Sequence, residues 1–229
     1  MVERTKYFVK TVLPRGARIY RRFRSIGQAL ARRDAGEIFT DIYRTREWAD
    51  SESVSGRGST LARTRVVREA LPVLLKGVGA RSLFDAACGD FNWMRHVELG
   101  GAEYTGADVV PELVGRNREL YGDEGRAFVV LDITRDRIPR ADAILCRDCL
   151  IHLSFKHARA AIANFKRSGA RFLLATTHTS VRVNSDIKTG EWRSLNLQLP
   201  PFDFPPPAQL IVEDEELGKC LGLWSLEEV

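Results

Sequence analysis

The stretch Ser82-Leu-Phe-Asp85-Ala-Ala-Cys-Gly89-Asp90 decides the fold of this 229-residue chain. A short apolar run ends in the acid Asp85, and the small residues after it predict a tight turn in which the backbone can approach a ligand closely. Phe91-Asn-Trp-Met94 then predicts the start of a helix. This order of strand, acid, small-residue turn and helix is typical of the first unit of a dinucleotide-type α/β domain.

A second acid follows at the spacing expected for a nucleoside ligand. Tyr104-Thr-Gly-Ala-Asp108 predicts another short strand, and its acid comes about 20 residues after the first, where a carboxylate meets ribose hydroxyls. The G-x-G-x-x-G pattern is absent, because Ala87 and Phe91 stand where glycines are expected. A pyrophosphate needs those glycines, and Asp85 would repel a phosphate while attracting an ammonium group. The turn therefore favours a ligand that joins an amino acid to a nucleoside without a phosphate.

Strands and helical runs alternate after Ser82, which predicts a parallel sheet with helices on both faces. The first five strand candidates are residues 82–85, 104–108, 127–131, 142–147 and 171–176. Residues 209–213 and 219–226 would add a terminal hairpin. The predicted fold class is α/β, with a Rossmann-like, seven-stranded, mostly parallel sheet and an N-terminal helical extension.

Charge and pattern divide the chain into three parts. Residues 1–36 form a basic helical extension: residues 1–33 carry a net charge of +9, whereas the whole chain carries +5. Residues 37–80 hold N-terminal helices and a lid loop, and residues 81–229 form the core. Because the basic charge lies in the extension and not beside the predicted site, a nucleic-acid partner is disfavoured.

Two helical patterns precede the sheet, Glu37 to Trp48 and Leu61 to Lys76. Pro72 predicts a kink or a division of the second one. The polar, glycine-containing residues 51–59 between them predict a mobile loop that closes over ligands.

The composition indicates a cytoplasmic protein. No apolar run is long enough to span a bilayer, and the N-terminus lacks the apolar core of a signal peptide. Cys146 and Cys149 share a C-x-x-C spacing, but no second pair completes a metal site. With Cys88 and Cys220 they are interpreted as buried free thiols in a reducing compartment.

The motifs resemble those of the class I S-adenosylmethionine-dependent methyltransferases. Their first motif is an acid followed by a glycine-rich turn, which here reads Asp85-Ala-Ala-Cys-Gly89-Asp90 with alanine in place of the first glycine. Arg147-Asp-Cys-Leu-Ile-His152-Leu-Ser154 resembles the R-D-x-L-x-H-L-S form found in bacterial methyltransferases of this class. The resemblance implies S-adenosyl-L-methionine as the cofactor.

Further segments resemble a bacterial subfamily of stand-alone enzymes that includes sugar O-methyltransferases, among them the mycobacterial enzyme that methylates the 1-hydroxyl of methylmannosides. This resemblance covers about residues 37–229. Its segments are Ile38-Phe39-x-x-Ile42-Tyr43, Trp48, Ser55-Gly-Arg-Gly-Ser-Thr60-Leu61, Asn92-Trp93-Met94, Leu195-Asn196-Leu and Pro201-Phe202-x-Phe-Pro205.

The resemblance implies a cofactor site at the carboxyl ends of the strands. Asp85 would lie near the methionine moiety, Asp108 would accept hydrogen bonds from the ribose, and Asp132 with Ile133 would meet the adenine. The expected cofactor-binding residues are Asp85, Ala87, Gly89, Trp93, Asp108, Asp132, Ile133 and Arg147.

A hydroxyl acceptor is a weak nucleophile, so a positioned base helps as the methyl group arrives. His152, after the fourth strand, is the candidate base, and His178, at the end of the fifth, is its competitor. Asp148 would orient His152, act as the base itself or bind a cation. No metal is assigned, but if Mg²⁺ takes part, Asp148 would hold it with Asp186 or Asn184.

The long segment from His178 to Pro207 predicts an acceptor site. Aromatic faces suit the C–H groups of a sugar ring, and amide and carboxylate groups suit its hydroxyls. The alternative is a loop that only covers the core. The expected substrate-binding residues are Trp48, Arg57, Ser59, Asn184, Trp192, Asn196 and Phe202.

The sequence therefore predicts a cytoplasmic O-methyltransferase for a sugar or small glycan hydroxyl, with no nucleic-acid partner and no transmembrane segment. One alternative is a methyltransferase for another small molecule, a protein or RNA. The other is a catalytically silent, cofactor-binding partner subunit. A homodimer stays open.

Overall fold

A computed structural model describes residues 34–229, so residues 1–33 of the predicted basic helical extension lie outside the described residues. It contains a seven-stranded sheet. The strands are β1 (Ser82–Ala86), β2 (Glu103–Asp108), β3 (Arg126–Val130), β4 (Ala143–Cys146), β5 (Phe172–His178), β6 (Gln209–Asp214) and β7 (Lys219–Ser225). Their order is β3-β2-β1-β4-β5-β7-β6, and only β7 runs antiparallel to its neighbours. The predicted α/β fold is confirmed.

Within residues 34–229, four α-helices accompany the sheet: α1 (Ala35–Thr45), α2 (Arg65–Gly77), α3 (Pro111–Tyr121) and α4 (Phe155–Arg167). Asp34 caps α1 by accepting from the Glu37 amide, and Ser154 caps α4 in the same way. Helix α2 begins four residues later than predicted. The predicted division at Pro72 is wrong, because α2 continues through the proline with leucines buried on either side of it.

Each face of the sheet is covered by its own apolar core. Successive strand residues point to opposite faces, so Phe84 joins one core and its neighbour Leu83 joins the other. The Phe84 core also contains α4 and part of the connection between β5 and β6, whereas the Leu83 core contains α2 and α3. This two-sided burial explains why the central strands are apolar along their whole length.

The connection from β1 to β2 differs from the prediction. No α-helix follows the small-residue turn, and only a short 3₁₀ turn, Met94–His96, is formed. Phe91 lies in the left-handed region at φ 58°, which stops a helix at that point. The rings of Phe91 and Trp93 are instead buried against the sheet.

The long segment between β5 and β6 contains no helix or strand. It nevertheless contributes to the core, since Leu195, Leu197 and Phe204 are buried. No helix among residues 34–229 is long and apolar enough to cross a membrane.

Asn164 connects α4 to the loop that follows β3. Its buried side-chain amide donates to the carbonyls of Ile133, at 2.9 Å, and Asp136, at 2.7 Å. We expect Asn164→Ala to lower the free energy of unfolding by about 1–3 kcal/mol, because two carbonyls lose their donor. Urea denaturation measures this. Arg159→Ala, an exposed change on the same helix, is the control, and equal effects of the two would contradict the assignment.

Candidate functional site

A cavity of about 610 Å³ opens at the carboxyl ends of the parallel strands, where α/β folds bind ligands. This volume lies within the range of small-molecule sites. Helix α1 and residues 54–59 form its outer wall. All eight predicted cofactor-binding residues and all three candidate catalytic residues line it, namely Asp85, Ala87, Gly89, Trp93, Asp108, Asp132, Ile133, Arg147, Asp148, His152 and His178.

The turn after β1 is held by the second acid. The Asp108 carboxylate accepts from the Gly89 amide at 3.1 Å and from the Val110 amide at 3.0 Å. Ala87 and Gly89 both have positive φ, at 70° and 58°. A Cβ on Gly89 would lie 2.3 Å from the hydroxyl oxygen of Ser55, so only glycine fits there. The turn and Asp108 therefore form one rigid wall of the cavity.

Asp85 lies at the end of β1 and is buried. The Tyr104 hydroxyl donates to its carboxylate at 2.7 Å. Burial raises the pKa of Asp85 to about 7, against the lowering effect of the Tyr104 hydrogen bond. A ligand cation placed beside this carboxyl would favour its ionised form.

The loop after β3 forms another part of the wall. Asp132 is buried and accepts from the amide and hydroxyl of Thr134, at 2.9 and 2.7 Å, and it pairs with Arg135 at 3.2 Å. Its side chain therefore holds the loop in shape, while Ile133 adds an apolar surface to the cavity.

The predicted mobile loop is bonded to the segment after β1. The Asp90 carboxylate accepts from the Ser53 hydroxyl at 2.8 Å, from the Val54 amide at 2.9 Å and from the Ser55 hydroxyl at 3.2 Å. Asn92 donates to the Ser59 carbonyl at 3.1 Å. These hydrogen bonds hold the loop against the segment that follows β1.

Four buried or half-buried charges meet beneath this loop. The Arg147 guanidinium donates to Glu213 at 2.6 and 2.9 Å, to the Gly58 carbonyl at 3.0 Å and pairs with Asp148 at 3.2 Å. Lys219 pairs with Asp148 at 2.6 Å. The two negative and two positive charges neutralise each other, because a charged side chain is stable in a buried position only when an opposite charge pairs with it.

Sequence reasoning missed Glu213 and Lys219. Glu213 falls at an irregularity of the β6–β7 pairing, where Val212 pairs with Cys220 and Asp214 pairs with Lys219. The bulge leaves Glu213 without a partner residue in β7, and its side chain, 2% exposed, lines the cavity. The one sequence feature that could have indicated a role for Glu213 in the cavity is the acid pair Glu213-Asp214 at the end of a predicted strand.

Asp148 is held as a structural anion. Its φ of 52° places it in the left-handed region, and Thr176 receives its amide proton at 2.8 Å and donates to its carboxylate at 3.2 Å. Arg147 and Lys219 hold the pKa of Asp148 well below its usual range. A carboxylate so engaged is a poor proton acceptor, so the option that Asp148 is the base loses support.

The structure does not support a Mg²⁺ site. Asp186 lies outside the cavity lining and accepts from the Phe155 amide at 2.7 Å at the start of α4. Among residues 34–229, no group of three or more His, Cys, Asp or Glu side chains is close enough to hold a metal ion.

His152 lines the cavity, and the backbone fixes which of its ring nitrogens carries the proton. Its Nδ1 lies 3.0 Å from the Glu191 carbonyl oxygen, which can only accept, so Nδ1 carries the proton and Nε2 keeps its lone pair. The Trp48 ring lies against the imidazole, with centroids 4.3 Å apart. Burial lowers the pKa of His152, partly opposed by the Glu191 bond and the Asp148 charge. The side chain is therefore a neutral base near pH 7.

His178 has the opposite arrangement. Its Nδ1 accepts from the Leu195 amide at 3.3 Å, so the proton lies on Nε2. Burial lowers the pKa of His178 as well. In this tautomer the side chain offers a hydrogen-bond donor at Nε2, and it lacks the free lone pair that a base needs there.

The predicted substrate-binding residues divide into two groups. Trp48, Arg57, Ser59 and Trp192 line the cavity. Asn184, Asn196 and Phe202 do not: Asn184 bonds the backbone of Asn196 at 2.8 and 2.9 Å, and Phe202 packs on Phe155 with centroids 5.6 Å apart. Their side chains hold the loop to itself and to the core, as the alternative interpretation of this loop expected.

All four cysteines are free and buried. Burial raises the pKa of the Cys88 thiol, and a hydrogen bond with Cys149 together with burial raises the pKa of the Cys146 thiol, so both stay protonated.

Solved structures with the same fold include methyltransferases. Human N-acetylserotonin methyltransferase (ASMT), solved in complex with SAM, matches with 14% identity and a TM-score of 0.59 over 84% of this chain and 60% of that one. TnmH matches with 17% identity and a TM-score of 0.56, over 72% of this chain and 55% of that one. Magnesium protoporphyrin IX methyltransferase (ChlM) from Synechocystis PCC 6803, with bound SAM, matches with 20% identity and a TM-score of 0.52, over 69% and 82%.

These likenesses give the fold, which is that of the class I S-adenosylmethionine-dependent methyltransferases. The chain spans 60% of the length of the human enzyme and 55% of TnmH. No protein-family model matches the chain, and no curated protein matches it.

The two histidines should differ in tautomer. We expect two-dimensional ¹⁵N–¹H spectra at pH 7.5 to show His152 with its proton on Nδ1 and His178 with its proton on Nε2, because a carbonyl faces the first Nδ1 and an amide faces the second. The spectrum of His152→Gln assigns the signals. The same tautomer at both sites would contradict the geometry.

Proposed function

We propose that this protein is an S-adenosylmethionine-dependent O-methyltransferase that acts on a hydroxyl of a sugar or small glycan. The observation that carries the proposal is His152, which has an unprotonated Nε2 and lines the same cavity as the strand-end carboxylates Asp85 and Asp108. A base and a nucleoside-binding wall in one cavity suit transfer from a nucleoside cofactor to a protic acceptor.

The cavity fits S-adenosylmethionine by its chemistry. Asp85 is suited to the amino group of the methionine part, and the lone pairs left on Asp108 are suited to the ribose hydroxyls. Ile133 and Leu113 give an apolar surface suited to the adenine. When bound, the cofactor supplies a methyl group on a positively charged sulfur, which an oxygen nucleophile can displace directly.

His152 takes the proton of the acceptor hydroxyl on Nε2 as the oxygen gains the methyl group. Nδ1 continues to donate to the Glu191 carbonyl, which holds the orientation of the ring while Nε2 gains the proton. The Asp148 carboxylate favours the resulting imidazolium by its charge. Asp148 therefore acts as a positioning and electrostatic residue.

A saccharide acceptor is favoured by the aromatic and polar groups beside His152. Trp192 lines the cavity and is 55% exposed, so its indole face is open to a ligand. Trp48 packs on His152, so one of its faces is already covered. His178 offers Nε2–H to an acceptor oxygen. An indole platform with hydrogen-bond donors suits a sugar ring.

The compartment proposed is the cytoplasm. Four buried thiols without disulfides suit a reducing environment.

Cofactor binding should depend on Asp108. We expect Asp108→Ala to weaken binding of S-adenosylhomocysteine by about 1–3 kcal/mol, because a charged hydrogen-bond partner is removed. Isothermal titration calorimetry measures the change. Asp123→Ala, an exposed acid in the loop between α3 and β3, is the control and should bind as wild type. An unchanged affinity for Asp108→Ala would remove this assignment.

Turnover should depend on His152. We expect His152→Ala to lower kcat roughly 10²–10⁴-fold with little change in cofactor affinity, because only the proton transfer is lost. The wild-type kcat should fall as pH drops through the lowered pKa of His152, where the imidazole becomes protonated. Methyl transfer from labelled cofactor to a panel of saccharides, followed from pH 5 to 8, measures both.

His178→Gln is the matched comparison, since an amide can still donate a hydrogen bond. It should change KM more than kcat. If His178→Gln loses turnover while His152→Ala keeps it, then His178 is the base and His152 is not. Failure of wild-type protein to bind S-adenosylmethionine would remove the proposed function itself.

A further inference from the structure

We infer that the acceptor carries an anionic group, a carboxylate or a phosphate, and that the guanidinium of Arg57 binds it. The inference rests on the proposed function, because it names the class of saccharide that the same cavity would take. Its basis is the charge balance around the cavity and the way the backbone holds Arg57.

The charges beside the proposed acceptor are compensated with one exception. Six carboxylates and four basic side chains line the cavity. Three of the carboxylates, Asp85, Asp108 and Asp132, belong to the wall proposed for the cofactor, and the other three are Asp148, Glu213 and Asp214. Each of the latter three has its own cation, and the three ion pairs are Asp214 with Arg63 at 2.8 Å, Glu213 with Arg147 at 2.6 Å and Asp148 with Lys219 at 2.6 Å. The fourth basic side chain is Arg57.

Within residues 34–229, no hydrogen bond or ion pair engages the Arg57 guanidinium. The side chain is exposed and borders the cavity. It therefore places at the border of the cavity one positive charge that no acidic side chain of the described residues pairs with.

The backbone on both sides of Arg57 is fixed. Gly56 has φ 97°, and a Cβ there would lie 3.1 Å from the Trp48 carbonyl oxygen. Gly58 passes so close to Asp148 that a Cβ would lie 3.0 Å from Oδ2, and its carbonyl accepts from Arg147. The Arg57 carbonyl itself accepts from the Thr60 hydroxyl at 3.0 Å. The guanidinium is thus carried by a rigid turn that lies against the catalytic side of the cavity.

This arrangement suits an anion on the acceptor. Arginine binds carboxylates and phosphates through two parallel N–H donors, and a fixed backbone lowers the entropy lost on binding. A neutral sugar would gain no charge-assisted hydrogen bond from Arg57, and a cationic acceptor would be repelled. The class of acceptor inferred is therefore a uronic acid or a phosphorylated sugar.

The test compares three sugar probes on the full chain saturated with S-adenosylhomocysteine: a neutral methyl hexoside, a hexuronate and a hexose phosphate. Calorimetry at low salt gives each Kd. We expect at least one anionic probe to bind about 10-fold or more tightly than the neutral one in wild type. Arg57→Gln should remove this preference, and Arg57→Lys should keep part of it.

Arg65→Gln is the matched control, with the same loss of charge at an exposed position on α2 outside the cavity. It should keep the wild-type preference. Unchanged binding of S-adenosylhomocysteine by Arg57→Gln shows that the variant is folded. The probe that loses affinity in Arg57→Gln identifies the anion as carboxylate or phosphate.

Two results would overturn the inference and leave the proposed function intact. One is a wild-type protein that binds S-adenosylhomocysteine but binds neither anionic probe more tightly than the neutral one. The other is a preference that survives in Arg57→Gln. If the wild-type protein does not bind the cofactor at all, that separate result contradicts the proposed function itself.

Discussion

The buried ion pair between Arg147 and Glu213 joins three separate parts of the chain. Arg147 follows β4, Glu213 lies at the bulge of β6, and the same guanidinium holds the Gly58 carbonyl of the covering loop. Removing one partner of such a pair costs about 3–5 kcal/mol, because the other charge is left buried alone. The covering loop, the sheet edge and the neighbouring Asp148 carboxylate therefore depend on this contact for their positions.

The charges around Arg147 also explain why Asp148 and His152 differ in ionisation. Because Asp148 is held by Lys219 and Arg147, it stays ionised and contributes charge, while His152 stays neutral and contributes a lone pair. The backbone determines which histidine has a lone pair on Nε2, since a carbonyl faces Nδ1 of His152 and an amide faces Nδ1 of His178. Two histidines at neighbouring strand ends thus differ in tautomer without differing in residue type.

Much of the cavity wall proposed for the cofactor could be predicted from the sequence. Asp85 and Asp108 lie at the ends of β1 and β2, and Asp132 follows β3. The ends of parallel strands meet at one edge of a sheet, so local pattern is enough to bring these acids together. The wall proposed for the acceptor could not be predicted in this way. Asn184 and Asn196 have the residue types of a sugar site, but their amides are used by the loop's own backbone, whereas Glu213 and Lys219 enter the cavity from the last hairpin.

The sequence by itself determined the sheet, its strand positions and the acids at the strand ends, because alternating apolar runs and small-residue turns are local signals. Only the tertiary structure decided what depends on contacts between distant residues. It replaced the expected helix after Phe91 with a buried turn, ordered residues 53–55 through Asp90, and assigned the protons of the two histidines. Hydrogen bonds and ion pairs between residues far apart in the chain carry no periodic signal, so they become visible only once the fold brings their partners together.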